Sequence, residues 1–242
     1  MSNKRDVFTS LMYHEIVDQK ITKCSVTPEN FRKQMEALQN AGVCSYVLGG
    51  NNTQEGHFCL LTFDDGHKSN LEAARLLSEM GLKGYFYLIK DYSMNDPEYL
   101  NEDAIREIAA MGHEIGVHGK DHRHWSKKDP GRLVVELRET KDWIEQLSGR
   151  EVISCSAPGG VIDQRTIDII KKEIPELKFI RTSRYGVNRT GDTVLKSIGV
   201  LSNYSTEKVL KIAQCDSFEM SKIMAYYYVK ESLKPLYHKI RR

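Results

Sequence analysis

The chain has 242 residues, of which 40% are hydrophobic and 28% are charged, proportions that are ordinary for a folded globular protein. The length is sufficient for one α/β domain with a large apolar core. The formal net charge is +2, from 35 basic and 33 acidic residues, and so small an excess argues against a protein that binds nucleic acid by neutralising its phosphates. With no internal repeat, low-complexity tract or linker, we predict a single domain over residues 1–242.

The cysteine pattern favours a reducing compartment. The five cysteines are widely spaced and form no C-x-x-C pair, and Cys59 and Cys155 lie inside apolar runs. This usage is typical of buried free thiols rather than disulfides. Residues 1–6 lack the apolar core of a signal peptide, and no apolar run approaches the length of a membrane span. We therefore expect a cytoplasmic protein.

Strand and helix signals alternate along the chain. A first strand over residues 7–13 ends at His14, and Thr27 and Pro28 begin the first helix as its N-cap and first helical residue. A buried strand then ends at Phe63. Further strands are predicted at 83–89, 113–117, 152–156, 178–182 and 193–198, and further helices at 69–80, 101–111, 129–148, 163–173 and 205–214. About seven strands alternating with helices predict a parallel α/β barrel, whose site lies at the C-terminal ends of the strands.

Two adjacent carboxylates end the buried strand. Leu60-Leu61-Thr62-Phe63 is followed by Asp64, Asp65 and Gly66. Two like charges beside a buried strand cost free energy unless a cation compensates them, and neighbouring side chains diverge. One carboxylate could therefore bind a divalent ion while the other stays free as a base. The alternative is a solvated turn that caps the next helix.

A pair of histidines follows a later strand. His118 and His122 are four residues apart, which puts both imidazoles on one side of a helical turn. Alone, this spacing is a weak signal. Together with the carboxylates at 64 and 65, it predicts a metal site with two imidazoles, one carboxylate and open positions, which is typical of a catalytic metal.

These two segments carry a family resemblance. Thr62-Phe63-Asp64-Asp65-Gly66 and His118-Gly119-Lys120-Asp121-His122, the latter introduced by Gly-His-Glu-Ile-Gly-Val, resemble the first two motifs of the polysaccharide deacetylases. These are the NodB-homology enzymes, or carbohydrate esterase family 4. The resemblance extends from about Leu11 to Gly199. It implies a distorted (β/α) barrel and metal-dependent removal of an acyl group from an amino sugar.

On this basis we predict roles for four residues. Asp65, His118 and His122 hold a divalent ion, and the two imidazoles favour Zn²⁺. Asp64 is the general base. The expected reaction is hydrolysis of an N-acetyl group on an amino sugar. A cytoplasmic location favours a nucleotide- or lipid-linked precursor of a surface polysaccharide as the substrate.

The third family motif is only partly present. In the segment after residue 154, Ala157, Pro158 and Gly159 match the tail of the family's Arg-x-Pro-Gly loop, and we predict that they bind substrate. The family's arginine, which orients the base, is replaced by Ser156. We predict that Arg181 reaches the site and takes over this role, and the alternative is an arginine-rich surface loop.

The last family motif lacks its histidine. A Leu-x-His segment normally supplies the acid that protonates the leaving amine, but the chain reads Leu195-Lys196-Ser197-Ile198-Gly199. We predict that His14 is this acid, ahead of His124 and His67, because it follows a strand directly.

Two other functions remain open from the sequence. The first is hydrolysis of another amide, N-formyl or ureido, at the same site. The second is a non-catalytic carbohydrate-binding relative that kept the fold and metal; the missing arginine and histidine suggest it, whereas a free base at Asp64 argues against it.

The C-terminal segment from about residue 220 is predicted to be a basic helix. Its apolar side carries Leu233, Leu236, Tyr237 and Ile240, and its basic residues are Lys230, Lys234, Lys239, Arg241 and Arg242. The helix either closes the barrel or contacts an anionic membrane surface, as would suit a lipid-linked substrate.

Overall fold

The computed structural model of the protein describes residues 7–240, with side chains up to residue 230 and at 232 and 233. The strands are β1 Val7–Tyr13, β2 Cys44–Ser45, β3 Phe58–Phe63, β4 Gly84–Leu88, β5 Glu114–Val117, β6 Ser154–Ser156, β7 Phe179–Arg181, β8 Asn188–Arg189, β9 Val194–Leu195 and β10 Ile198–Gly199. The helices are α1 Pro28–Asn40, α2 Asn70–Glu79, α3 Lys90–Asn95, α4 Glu102–Ala110, α5 Pro130–Ser148, α6 Gln164–Glu173, α7 Thr206–Ala213 and α8 Ser217–Ile240. The predictions for residues 1–6 and for the side chains of Lys234, Leu236, Tyr237, Lys239, Ile240, Arg241 and Arg242 lie outside the described residues.

The predicted order of strands and helices is confirmed. Side-chain caps begin the helices as the sequence indicates: Thr27 accepts a hydrogen bond from the backbone of Asn30, and Asp129 accepts one from Arg132. The differences concern short elements. The strands β2 and β8 and the helix α3 were not predicted, and the strand predicted over 193–198 is two strands, β9 and β10.

This broken strand nearly closes the barrel. The strand order is β10-β1-β3-β4-β5-β6-β7-β9, so β9 and β10 lie at opposite edges of the sheet although only residues 196 and 197 separate them. A flat sheet of eight strands would hold its edges about 34 Å apart. The chain from the end of β9 to the start of β10 spans at most about 11 Å. The sheet must therefore curl until its edges meet, and the predicted distorted (β/α) barrel is confirmed.

Pairing along the sheet is parallel except where β8 runs antiparallel to β1. Two apolar clusters hold it together. The larger one joins outward-facing strand residues such as Leu61 and Phe86 to helix residues such as Leu77 and Ile144. The smaller one contains no helix residue and fills the barrel interior, with Phe8, Tyr46, Leu48, Phe58, Leu60, Tyr85, Tyr87 and Leu195.

Because side chains alternate between the two faces of a strand, the polar residues at two of the strand ends point into the barrel. Phe58 and Leu60 face the interior of the barrel, so Asp64, two pleats farther on, faces it as well. On β7, Phe179 packs against the interior cluster, and Arg181 therefore points into the same mouth. A carboxylate and a guanidinium thus enter the C-terminal end of the barrel from different strands.

α8 packs on α7, and its residues Met220 and Ile223 are buried in the larger apolar cluster. Among residues 7–240, no helix has the length and apolar character needed to cross a membrane.

Candidate active site

The turn after β3 separates the two carboxylates. Asp64 continues the strand, and its backbone N–H donates to the carbonyl of Tyr13 at 2.9 Å. Asp65 and Gly66 both adopt left-handed backbone conformations, with φ of 70° and 72°. A Cβ at Gly66 would lie 2.8 Å from Leu88 Cδ2, so only glycine fits at this position. Because the chain reverses here, Asp64 points into the barrel while Asp65 faces the loop after β5.

The loop after β5 carries both histidines, but it is not a helical turn. Residues 118–122 form a bend in which Gly119 and His122 have positive φ values of 101° and 54°. The predicted helical geometry was therefore wrong. The two imidazoles still meet, with ring centroids 5.2 Å apart, because the bend folds His122 back over the strand end.

Asp65, His118 and His122 form a cluster that could hold a metal ion, with their ligand atoms within 4.8 Å of one another. Asp65 Oδ1 is 3.1 Å from His118 Nε2 and 3.2 Å from His122 Nε2. Two atoms bound to one tetrahedral ion at ordinary bond lengths lie about 3.3 Å apart. Within the described part of the chain, Asp65 Oδ1 is buried and accepts no hydrogen bond, as a metal-ligand atom would be.

The outer partner of His118 fixes which nitrogen faces this cluster. His118 is buried, and its Nδ1 donates to the backbone carbonyl of Ser156 at 2.8 Å. The proton is therefore on Nδ1, and the lone pair of Nε2 points at Asp65. This tautomer is the one that a metal-binding imidazole requires.

The charges of the cluster are strongly coupled. Burial acts to raise the pKa of Asp65, but the imidazoles of His118 and His122 outweigh it and hold that pKa well below its ordinary value. In turn, the Asp65 carboxylate raises the pKa of His122. Asp65 is thus an anion at neutral pH, as ligation of a cation requires.

Arg181 lies against Asp64 inside the barrel mouth. Its guanidinium is fully buried and donates to Asp64 Oδ2 and to Ser156 Oγ through Nη2, and to Ser197 Oγ at 2.7 Å through Nη1. Its Cζ also lies 5.2 Å from the centre of the Tyr87 ring. The arrangement excludes a surface arginine loop as the position of Arg181. A buried carboxylate and a buried cation compensate each other here.

The partners of Arg181 occupy the two positions where the family motifs are broken. Ser156 replaces the expected arginine, and it is the in-register neighbour of Arg181 on the adjacent strand. Ser197 belongs to the segment that lacks the histidine. The roles of the two serines were not predicted, because a serine carries no motif signal. Strand register places Ser156 beside Arg181, and Ser197 reaches the same cation from the connection between β9 and β10.

The loop after β6 forms another part of the wall. Gly159 and Gly160 line the cavity and have φ values of 65° and 66°, whereas Ala157 and Pro158 are buried and do not contribute to the cavity wall. A Cβ at Gly160 would lie 1.9 Å from Ser183 Oγ, so the backbone approaches closely here. The predicted binding of substrate by Ala157, Pro158 and Gly159 stays a prediction.

The three histidines considered as acids lie in different environments. His14 lines the cavity, and its buried Nδ1 has no hydrogen-bond partner among residues 7–240. His67 is bonded to Ser69 Oγ at 2.8 Å and packs near Tyr99, outside the cavity. His124 is exposed and would meet a Cβ at Gly159 at 2.7 Å. Of the three, only His14 shares the cavity with Asp64 and the metal cluster.

A salt-bridge network that the sequence analysis missed supports the His122 bend. Asp121 directly precedes His122, and Lys128 Nζ donates to Asp121 Oδ1 at 2.5 Å and to Glu136 Oε2. Arg132 Nε donates to the other oxygen of Glu136 at 2.7 Å. Because the side chain of Lys128 is only 8% exposed, the bend is tied to α5 by a nearly buried cation.

A cavity of about 360 Å³ joins these groups. Asp64, Asp65, His14, His118 and His122 line it. Its wall also includes Lys23, Tyr185 and, from α8, Tyr226, Tyr227 and Lys230. The participation of the C-terminal helix in the cavity was not predicted, because its tyrosines follow no motif.

Comparisons with known proteins agree with this architecture. A family model described as polysaccharide deacetylase matches residues 51–173, slightly more than half of the chain. The chain is 25% identical over 170 residues to the "Putative polysaccharide deacetylase YxkH" of Bacillus subtilis (strain 168), an alignment that covers 67% of this chain and 60% of that relative. The chain thus spans less than two thirds of the length of this relative.

Solved structures share the fold. The polysaccharide deacetylase BC0361 from Bacillus cereus is 25% identical, with a TM-score of 0.74, and covers 88% of this chain and 68% of its own. The Streptococcus pyogenes deacetylase PplD, in complex with acetate, gives a TM-score of 0.78 at 21% identity, over 86% of this chain and 98% of its own.

Proposed function

The chain belongs to the polysaccharide deacetylase family, and we propose that it is a zinc-dependent hydrolase that removes the acetyl group from an N-acetylated amino sugar. One observation carries the proposal. A carboxylate-imidazole cluster that could hold a metal and a second carboxylate, paired with a buried arginine, line the same cavity. The reaction needs a Lewis acid and a base side by side, and these residues can supply both.

Asp65, His118 and His122 would hold the metal. The two imidazole nitrogens favour zinc over magnesium or calcium, which prefer oxygen ligands. A zinc ion supplies Lewis acidity: it makes water more acidic and polarises an amide carbonyl. The chain contributes the fixed tautomer of His118 and the anionic state of Asp65.

Asp64 is the proposed general base. Its Oδ2 lies 3.9 Å from His118 Nε2, beside the cluster, and it accepts the proton of the attacking water. Arg181 is a positioning residue: by donating to Asp64 and Ser156, it holds the carboxylate in place in the absence of the family's arginine at position 156. This assignment accounts for an arginine buried in the barrel.

His14 is the proposed acid that protonates the leaving amine. It lines the same cavity as Asp64, and its Nδ1 has no hydrogen-bond partner among the described residues. Gly159 also lines the cavity, and a backbone N–H of this loop is a candidate to bind the substrate carbonyl, although the N–H of Gly160 already donates to the carbonyl of Ala157 at 2.8 Å.

The test combines metal content with product release. Elemental analysis should find about one zinc per chain in the wild type, and Asp65→Ala and His118→Ala should lose it. His124→Ala is the matched control, since this histidine lies in the same loop but outside the cluster. Acetate release is then measured with the zinc-loaded wild type on N-acetylated sugars.

The outcomes separate the alternatives. Acetate release that depends on the cluster supports the proposal. Formate or carbamate release without acetate would move the substrate class to an N-formyl or ureido amide. Zinc binding without release from any amide would favour a non-catalytic carbohydrate-binding protein, and absence of zinc would refute the metal site.

A further inference from the structure

The outer surface of α8 carries an apolar stripe. Phe218, Tyr226, Val229 and Leu233 are between 56% and 68% exposed, and they are separated by eight, three and four residues. These spacings put all four on one side of a helix. Single exposed apolar residues are ordinary, but several large ones on one side of a helix are typical of a surface that binds something. We call these four residues the α8 stripe.

The opposite side of the helix is already occupied. Met220 and Ile223 are buried against the barrel, and Tyr227 stacks on Tyr185 with ring centroids 4.8 Å apart and planes 16° apart. The helix is therefore held in place by its inner side. The α8 stripe lies on the other side and remains exposed.

The exposed charged residues described around the stripe are lysines. Lys222 lies on the same side, with its Nζ 4.1 Å from the centre of the Phe218 ring, and Lys230 lies at the border of the stripe. The described exposed residues between 217 and 233 include no carboxylate; Glu219 is 12% exposed and pairs with Lys208 at 3.6 Å. Aromatic and aliphatic residues flanked by lysines are the composition of helices that lie in a membrane interface.

The stripe is continuous with the catalytic cavity. Tyr226 belongs to the stripe and also lines the cavity, and Lys230 lines it one turn farther along. A molecule whose hydrocarbon part rests on the stripe would therefore have its polar head at the mouth of the cavity. A soluble sugar would make no use of this continuity.

We propose that α8 lies in the interface of an anionic membrane and that the substrate is an N-acetylated sugar attached to a membrane lipid. The second half of this inference rests on the proposed deacetylase activity, whereas the first half does not. The lysines attract the anionic surface, the stripe inserts among the upper parts of the acyl chains, and the cavity faces the lipid headgroups.

Vesicle binding tests the first half without any measurement of activity. The protein is sedimented with phosphatidylcholine vesicles, with and without phosphatidylglycerol, and the bound fraction is measured as lipid is titrated. The variant Phe218→Ser/Val229→Ser/Leu233→Ser should reduce the partition coefficient by about tenfold or more, because three apolar side chains leave the acyl region. Lys222→Gln should weaken binding only to the phosphatidylglycerol vesicles.

The matched control is Val47→Ser/Val135→Ser, which removes exposed apolar side chains outside α8. It should bind like the wild type. Failure of the wild type to bind vesicles, or equal loss in this control, would overturn the proposal. Sedimentation equilibrium provides another test: a wild-type dimer that the triple variant dissociates would show that a second copy of the chain covers the stripe, and it would overturn membrane binding.

The substrate half is tested on the same variants. With a water-soluble N-acetylated sugar, the triple variant should release acetate at the wild-type rate, and with an N-acetylglucosaminyl lipid in vesicles it should be about tenfold slower. Equal rates of the variant and wild type on the lipid would overturn this half. Vesicle binding without acetate release from any substrate would instead count against the proposed deacetylase activity, and it would still support membrane binding by α8.

Discussion

Replacing Arg181 with methionine tests the part of the site in which this chain departs from its family. The guanidinium is fully buried, and the Asp64 side chain that it contacts is only 6% exposed. Removing one partner of a buried ion pair typically costs about 3–5 kcal/mol, because the other charge stays buried without compensation. For a chain of this size, that loss lowers Tm by about 6–20 °C. Because the cluster of Asp65, His118 and His122 does not include Arg181, zinc content should be unchanged.

Turnover of Arg181→Met should fall by about 100-fold or more, the contribution expected of a positioned general base. The assay compares acetate release per bound zinc at a temperature at which the variant is folded. Arg184→Met is the control: this arginine is three residues farther along and donates to the carbonyl of Ile162 at 3.2 Å, away from Asp64. It should keep its turnover.

Moving the cation to the neighbouring strand distinguishes a role of Arg181 in positioning Asp64 from a role in folding. Ser156 and Arg181 are register partners on adjacent strands, about 5 Å apart, so Ser156→Arg/Arg181→Ser moves the cation to the family's usual position. The double variant should recover about tenfold or more of the turnover that Arg181→Ser loses. Full turnover of Arg181→Met with its zinc retained would refute the reasoning. So would a swap that restores Tm without restoring turnover.

Three further predictions concern pH and the support of the metal site. Zinc affinity should fall as pH falls through the raised pKa of His122, because Asp65 stabilises the protonated ring in competition with the metal. The expected decrease is up to about tenfold per pH unit for each proton that the metal displaces. Zinc titrations at several pH values measure it, and an affinity that does not change with pH would contradict it. Lys128→Met should destabilise the protein by about 3 kcal/mol and weaken zinc binding, because Lys128 joins the two carboxylates that fix the bend at residues 118–122. Lys127→Met, at the exposed neighbouring position, should change neither property. Denaturant unfolding and zinc titration compare the two variants. Burial lowers the pKa of His113 from 6.5, so below that pH the unfolded chain binds a proton that the folded chain excludes. The free energy of unfolding should therefore decrease by up to about 1.4 kcal/mol for each unit by which the pH falls. A His113→Gln variant whose free energy of unfolding has the same dependence on pH as the wild type would contradict this.

The fold and the metal cluster could be predicted from sequence because their signals are local. Strand and helix periodicity gives the element order, and an apolar strand that ends in Asp64 and Asp65 marks a site at the barrel mouth. His118 and His122 lie close together as predicted, although the predicted helical turn was wrong. Four-residue spacing brings two side chains together in a helix, and here two positive-φ residues achieve the same through a bend.

The surroundings of the cluster could not be predicted, because they depend on contacts between distant segments. Arg181 was expected to approach Asp64, but its bonds to Ser156 and Ser197 depend on strand register and on the closure of the barrel. The contribution of α8 to the cavity depends on how that helix docks, through contacts such as Tyr227 with Tyr185. Neither kind of contact leaves a periodic pattern in the sequence.

The separation of the two carboxylates explains how adjacent residues can serve different purposes. Asp65 lies 3.1 and 3.2 Å from two imidazole nitrogens, where a bound metal ion would compensate its charge, and Asp64 faces a guanidinium. A carboxylate that binds a metal must stay ionised. A carboxylate that acts as the general base must be fixed in place without binding the metal itself. In the proposed zinc site, loss of Arg181 would leave the metal as the cation toward which Asp64 could turn. On this proposal the arginine does more than neutralise a buried charge: by engaging Asp64 from inside the barrel, it would keep the base from becoming a fourth ligand.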